Sequence, residues 1–242
     1  KQLLAAFAAA GLKPAPFRPG SLPLSLSPSS SVIPRVMIDR GQNRVAAAAG
    51  ITAARAKGVI TLDAGLAARG DRLMVAATLA AAGLPRPEAH LACSAEAALE
   101  TLRQFGFPGT VLPLASDGKA IAILDLDTAE AVLEHRDVLG VRQDSLALVQ
   151  AGAPVARWSV IVVGGVAVAM TASPAAEAMP APARHLAESA AATLGAAMVA
   201  IEIAQVEGGL VIWDVDAVPE FRHATPISDQ PVAAALCELA QA

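Results

Sequence analysis

The segment Leu210-Val-Ile-Trp-Asp-Val-Asp216 sets two carboxylates two residues apart in a stretch whose apolar and polar positions alternate. That is the period of a strand, so Asp214 and Asp216 point to one face while Val211, Trp213 and Val215 point to the other. The apolar run Met198 to Gln205 precedes it, and Val206-Glu-Gly-Gly209 between them reads as a hairpin turn. Folding about Gly208 sets Glu202 opposite Asp214, so three carboxylates converge. Three close carboxylates repel one another or hold protons more tightly unless a cation sits among them, and an oxygen-rich set suits a hard divalent ion. The alternative is that they line a solvated sheet face. The loop Pro219-Glu-Phe-Arg-His223 follows directly. Glu220, Phe221, Arg222 and His223 offer an acid, an aromatic face, a cation and an imidazole, the parts of a wall that grips a planar or anionic ligand, or of an ordinary polar loop.

Other chemistry is poorly supported. His90, His135 and His185 have no ligand spacing, and Cys93 and Cys237 stand far apart and outside any Cys-x-x-Cys pattern. Neither a disulfide framework nor a thiolate metal site is indicated, and a reduced cytoplasmic protein is the simplest expectation. No nucleophile elbow, Walker or Gly-x-Gly-x-x-Gly signature occurs. A net charge of -4 with no Lys/Arg run argues against nucleic acid as a partner. The hydrophobic fraction of 55% is carried largely by alanine. The longest apolar stretch, Trp158 to Ala172, is interrupted by Gly164-Gly165 and falls short of the roughly 20 residues of a membrane helix. It reads as a hairpin, and no membrane association is expected.

The elements that must position these groups fall into three lobes. Residues 1–69 read as an N-terminal α/β lobe: a helix from Leu3 to Leu12, a Pro/Ser-rich loop, a strand from Ser31 to Asp39, a helix from Asn43 to Ala49 and a strand from Gly58 to Leu62. The alternation of strand and helix implies parallel pairing. Residues 70–145 read as a small α-β-β-α lobe. Its helices run from Arg72 to Ala82, from Ser94 to Gly106 and from Thr128 to Arg136, and its strands from Thr110 to Leu114 and from Ala120 to Leu124. Residues 146–242 read as an antiparallel-sheet lobe with a strand from Leu146 to Val149, two hairpins, a helix from Pro182 to Leu194 and a last helix starting at Ser228.

Five local signatures, in this order, resemble the ATP-grasp carboxylate-amine ligases, especially the branch of the ribosomal-protein glutamate ligase and the amino-group-carrier ligase of lysine biosynthesis. They are Gly70-Asp-Arg-Leu73, Ala82-Gly-Leu-Pro-Arg-Pro87, Phe105-Gly-Phe-Pro108, Val162-Val-Gly-Gly165 and Trp213-Asp-Val-Asp216. The resemblance implies an α/β fold of ATP-grasp type, with α+β lobes in the order just described. It makes Glu202, Asp214 and Asp216 the magnesium site. It also implies that two cations neutralise the nucleotide phosphates, because clustered phosphate charge must be offset before an acyl phosphate can form.

Here the sequence departs from the family pattern. Arg72 stands for the first phosphate-binding lysine, with a different reach and geometry. Leu112 stands for the second. The phosphate loop is reduced to Ala115-Ser-Asp-Gly-Lys119, the hinge reads Val149-Gln-Ala-Gly-Ala-Pro154 without its acid, and Ser159 replaces an arginine. Lys119 and Arg157 are the nearby cations that stand close to those positions. The reading that follows is of a degenerate ATP-grasp protein, independent of ATP. It would hold a small polar cofactor between lobes through Arg72, Arg157, Glu202, Asp214 and the 219–223 loop. The resemblance extends to divergent ATP-grasp proteins of one-carbon metabolism in methylotrophs, which implies tetrahydromethanopterin or a related reduced pterin as the ligand. The alternative is an active ligase using ATP and Mg. A homodimer is expected by the same resemblance.

Overall fold

The computed structural model describes residues 2–17, 34–41, 43–65, 68, 71–114, 120–139, 146–152, 156–173 and 178–242. Its N-terminal lobe holds α1 (Gln2–Ala9), β1 (Val36–Ile38), α2 (Arg44–Ala56) and β2 (Ile60–Leu62). The two strands pair in parallel with Val36 opposite Ile60. Helix α2 makes the crossover and is capped by Asn43, whose side chain accepts from Ala46 N at 2.9 Å. It runs past Gly50 to Ala56, because Ala47 and Ile51 are buried and their packing outweighs one helical glycine.

The turn after β2 ties this lobe to the rest. Asp63 is buried; its carboxylate accepts from Gly65 N at 2.7 Å and from Arg55 at 2.8 Å, and its carbonyl accepts from Ala197 N at 2.8 Å and Met198 N at 3.1 Å. A single residue thereby holds helix α2, its own turn and the start of a C-terminal strand.

The central lobe contains α3 (Arg72–Ala81), β3 (Ala89–Ala92), α4 (Ala95–Phe105), β4 (Gly109–Pro113), β5 (Ile121–Ile123), α5 (Leu126–Leu139) and β6 (Ala147–Ala151). Its sheet has four strands in the order β3-β6-β4-β5, all antiparallel. Two features differ from the sequence reading. Strand β3, Ala-His-Leu-Ala, has no counterpart in the sequence reading, which placed no element between Pro87 and Ser94. Strand β6, expected in the C-terminal lobe, is hydrogen-bonded into this sheet between β3 and β4. Helix α5 also begins earlier than Thr128, because the Asp125 carboxylate accepts from Thr128 N at 2.7 Å. The segment 115–119, with Lys119, lies outside the described residues.

Helices α4 and α5 cover one face of the sheet through Val111, Ile123, Ala147 and Val149. The opposite face presents Leu112, Leu114 and Leu148, against which Leu73 and Ala76 of α3 pack.

The C-terminal lobe contains β7 (Ala156–Val163), β8 (Val166–Ser173), α6 (Ala181–Leu194), β9 (Met198–Val206), β10 (Gly209–Asp216), β11 (Thr225–Pro226) and α7 (Val232–Gln241). The five strands lie antiparallel in the order β10-β9-β7-β8-β11. Gly164 and Gly165 take φ of 58° and 82° in the β7–β8 turn, a region open to glycine. Helices α6 and α3 pack on one face of this sheet, and α7 and α1 on the other. Helix α7 starts at Val232, behind Pro231, and not at Ser228, whose hydroxyl instead accepts from Gln230 N at 3.3 Å. Among the described residues no helix is long and apolar enough to cross a membrane.

Candidate functional site

The hairpin β9–β10 sets Asp214 opposite Glu202 and Asp216 opposite Ala200. The register shifts at Trp213, an extra residue between the Ile212–Ile203 and Asp214–Glu202 pairs. Simple alternation would put Val211 on the face of Val215. The bulge instead puts Ile212 there, in the core beneath α6, and leaves the three carboxylates together on the other face. Strand β7 adds Ser159, opposite Glu202, and Arg157, whose guanidinium lies 3.6 Å from the Glu202 carboxylate.

Arg72, the first residue of α3, reaches this face from the central lobe. Its Nη2 and Nε donate to Asp214 at 3.0 and 3.3 Å, while its Nη1 donates to the Pro113 carbonyl at 3.0 Å. The side chains are 10% and 16% exposed, so this ion pair is largely withdrawn from water and joins the two sheets.

Two further polar groups at this junction escaped the sequence reading. Gln150 of β6 is fully buried; its Nε2 donates to Trp213 O at 3.4 Å and its Oε1 accepts from Arg86 Nη2 at 3.3 Å. Arg86 belongs to the linker between α3 and β3, where Pro85 O accepts from Ile212 N at 2.9 Å. Burial lowers the Arg86 pKa below the ordinary arginine value, and the nearby Asp214 charge opposes that shift. A single arginine among prolines carries no periodic signal, and only the spacing of residues 85 and 212 in three dimensions reveals it.

As arranged, the carboxylates do not form a metal site. Asp214 is committed to Arg72, and Asp216 accepts from Val218 N at 2.8 Å. Among the described residues no group of three His, Cys, Asp or Glu side chains stands close enough to hold an ion. The three carboxylates share one face, as expected, and their donor chemistry suits magnesium, while Asp214 is drawn into a salt bridge with Arg72.

The 219–223 loop is divided. Phe221 packs inward under Arg40, whose guanidinium carbon is 5.3 Å from the ring centroid and whose Nη2 donates to Pro219 O at 2.9 Å. Glu220 and Arg222 pair with each other in solvent at 2.9 Å; the hydrogen bonds from Arg222 hold the Glu220 carboxyl at about 2. His223 is exposed. The structure thus brings Arg72, Arg157, Glu202 and Asp214 together. It turns Arg222 away to Glu220.

Burial raises the Glu202 carboxyl above its ordinary value, the Asp214 charge adds to this, and Arg157 opposes it. The folded chain keeps that proton to higher pH than the unfolded chain. The contribution of Glu202 to stability is therefore present below the ordinary glutamate pKa and lost as pH rises through the folded value. Glu202→Gln is expected to melt higher than the parent at about pH 8, with the difference closing at about pH 4. Melting curves at both pH values check this; a variant that melts lower at the higher pH contradicts it.

Comparison with known proteins identifies the fold. A RimK-domain ATP-grasp protein of Sphaerobacter thermophilus superposes with a TM-score of 0.84 over 99% of this chain and 94% of that one, at 25% identity. The chain has the ATP-grasp fold. The ATP-grasp ligase PsnB, solved with Mg, ADP and a minimal precursor, aligns over 99% of this chain and 92% of its own at a TM-score of 0.69 and 15% identity. D-alanine–D-alanine ligase of Bacillus anthracis with ATP aligns over 76% of this chain and 67% of its own, at a TM-score of 0.60 and 13% identity. In sequence, the glutamate–LysW ligases ArgX of Sulfurisphaera tokodaii and Sulfolobus acidocaldarius are 34% and 32% identical to this chain over 73 residues. The matched segment covers 29% of this chain and 26% of each relative, about a quarter of the length of those ligases. No family model matches the sequence.

Proposed function

We propose that this chain binds ATP between its central and C-terminal sheets and acts as an ATP-dependent carboxylate-amine ligase. The observation that supports it best is the inter-sheet junction in an ATP-grasp chain: Arg72 bridges Pro113 O of the central sheet and Asp214 of the C-terminal sheet, with Glu202 and Arg157 on the same face. A ligase of this type must hold a polyphosphate, neutralise its charge and keep water from an activated carboxylate. Arg72 is the first cation at the junction, and its transfer from Asp214 to a phosphate oxygen would keep its charge satisfied throughout. Arg157, beside Glu202, is placed for an anionic substrate. Magnesium supplies charge neutralisation at phosphates in enzymes of this class; the carboxylates as arranged here do not define its position.

A second reading has its own support. Leu112 is 1% exposed and packs with Leu114 and Leu148 under α3, so that stretch of the central sheet offers no phosphate contact. This favours a scaffold that has given up ATP for a polar cofactor, such as tetrahydromethanopterin or another reduced pterin, near Phe221.

Calorimetry separates the two. The ligase reading expects ATP with magnesium to bind at micromolar to submillimolar concentration, and ADP to be released when glutamate and an amine acceptor are supplied. Absence of nucleotide binding, with a pterin that raises the melting temperature of the parent but not of Phe221→Ala, supports the second reading and defeats the first.

A further inference from the structure

The strands of the central sheet turn Ala89, Leu91, Thr110, Leu112, Ala122, Leu148 and Gln150 toward the junction, by alternation with the residues that face α4 and α5. None of these carries a charge. Arg86 enters above them from the linker. Its Nη2 holds the Gln150 amide, its Nε is buried with no hydrogen-bond acceptor among the described residues, and Asp214, the anion whose field it feels, already receives Arg72. A half-buried guanidinium whose side-chain hydrogen-bond partner is a neutral amide, with its Nε buried, gains when an anion comes to it. Gln150 meanwhile spends both ends of its amide holding Arg86 and Trp213 O, which fixes the guanidinium beside the carboxylate face.

We propose that Arg86 is a phosphate-binding residue: it supplies, from the linker, the cation that the central sheet itself lacks, and it contacts the phosphates of the bound nucleotide alongside Arg72. This rests on the nucleotide-binding reading above. Gln150 acts through Arg86 as its positioning residue. Leu112 and Leu148 lie on the same sheet face, one ladder step from the Thr110–Gln150 pair, about 7 Å along the strand. Helix α3 covers those leucines, so Arg86 would meet a phosphate at the Gln150 end of this face and not across the apolar patch.

The test compares ATP with adenosine, which lacks phosphate, by calorimetry on the full chain and on Arg86→Met and Arg86→Lys. Arg86→Met is expected to weaken ATP about ten- to a hundredfold, the range for losing one charge-assisted hydrogen-bonded contact, and to leave adenosine within about twofold. Arg86→Lys, which keeps the charge without the fork, falls between. Arg86→Met exchanges a half-buried charge for a Gln150 Oε1 left without its donor, opposing effects that are expected to keep its melting temperature close to the parent's. Equal ATP affinity in parent and Arg86→Met overturns the proposal. So does a variant that fails to fold or loses ATP and adenosine alike, since either outcome assigns Arg86 to the architecture. A parent that binds neither ligand defeats the nucleotide reading itself, a result distinct from both.

Discussion

Gly65→Ala is expected to lower stability by about 2 to 5 kcal/mol, a melting-temperature drop of roughly 5 to 20 °C for a chain of this size. Gly65 sits at φ +84°, where an L side chain costs about 1 to 2 kcal/mol, and an added Cβ would overlap the Leu194 carbonyl oxygen. That oxygen belongs to the backbone at the end of α6, so no rotamer change relieves the overlap. Either the turn or the helix end must move. The turn cannot move alone, because Asp63 binds Gly65 N, Arg55, Ala197 N and Met198 N at once. Shifting Gly65 therefore strains the contact between the N-terminal lobe and strand β9. Gly11→Ala, at φ +77° with nothing within 4 Å of its added Cβ, is the control for backbone strain alone. Thermal unfolding of both variants checks the argument: equal losses at the two positions contradict the role given to the Leu194 oxygen.

The hairpin that carries the site was legible because two local signals agree, alternation in β10 and glycine at its turn, but that turn register alone would set Glu202 against Trp213, and the bulge is what pairs it with Asp214. The bulge at Trp213 was not legible. Nothing in Val-Ile-Trp-Asp marks one residue as extra, and the cause lies outside the hairpin, where Pro85 O takes the Ile212 amide and Gln150 takes the Trp213 carbonyl. Membership of β6 was misread for a related reason. Its sequence, Ala-Leu-Val-Gln-Ala, says strand, but its partners are Ala89 to Ala92 and Gly109 to Pro113, both earlier in the chain. Local periodicity gives an element's type and leaves its neighbours open. The same limit hid the state of the carboxylates. Proximity of Glu202, Asp214 and Asp216 follows from register, but that Arg72, 142 residues before Asp214, occupies one of them does not.

That occupancy makes Arg72→Met the substitution with the largest combined effect. It leaves Asp214, 16% exposed, beside Glu202 without its counter-charge, and it leaves the Pro113 carbonyl without the guanidinium donor. Breaking a buried pair by removing one partner costs about 3 to 5 kcal/mol, because the remaining charge stays desolvated. Replacing both partners by apolar groups is often near neutral, so Arg72→Met with Asp214→Leu is expected to recover most of the lost stability. Nucleotide binding should follow the opposite logic. If Arg72 serves phosphate, the double variant regains its fold and still fails to bind ATP, whereas a merely structural Arg72 predicts that binding returns with stability. Arg72→Lys adds a third point: it keeps the charge but cannot hold Pro113 O and Asp214 together in one planar fork, so partial stability and weakened ATP binding are expected. Melting temperatures and ATP calorimetry on the three variants decide the matter, and a double variant that binds ATP as tightly as the parent removes Arg72 from the phosphate site.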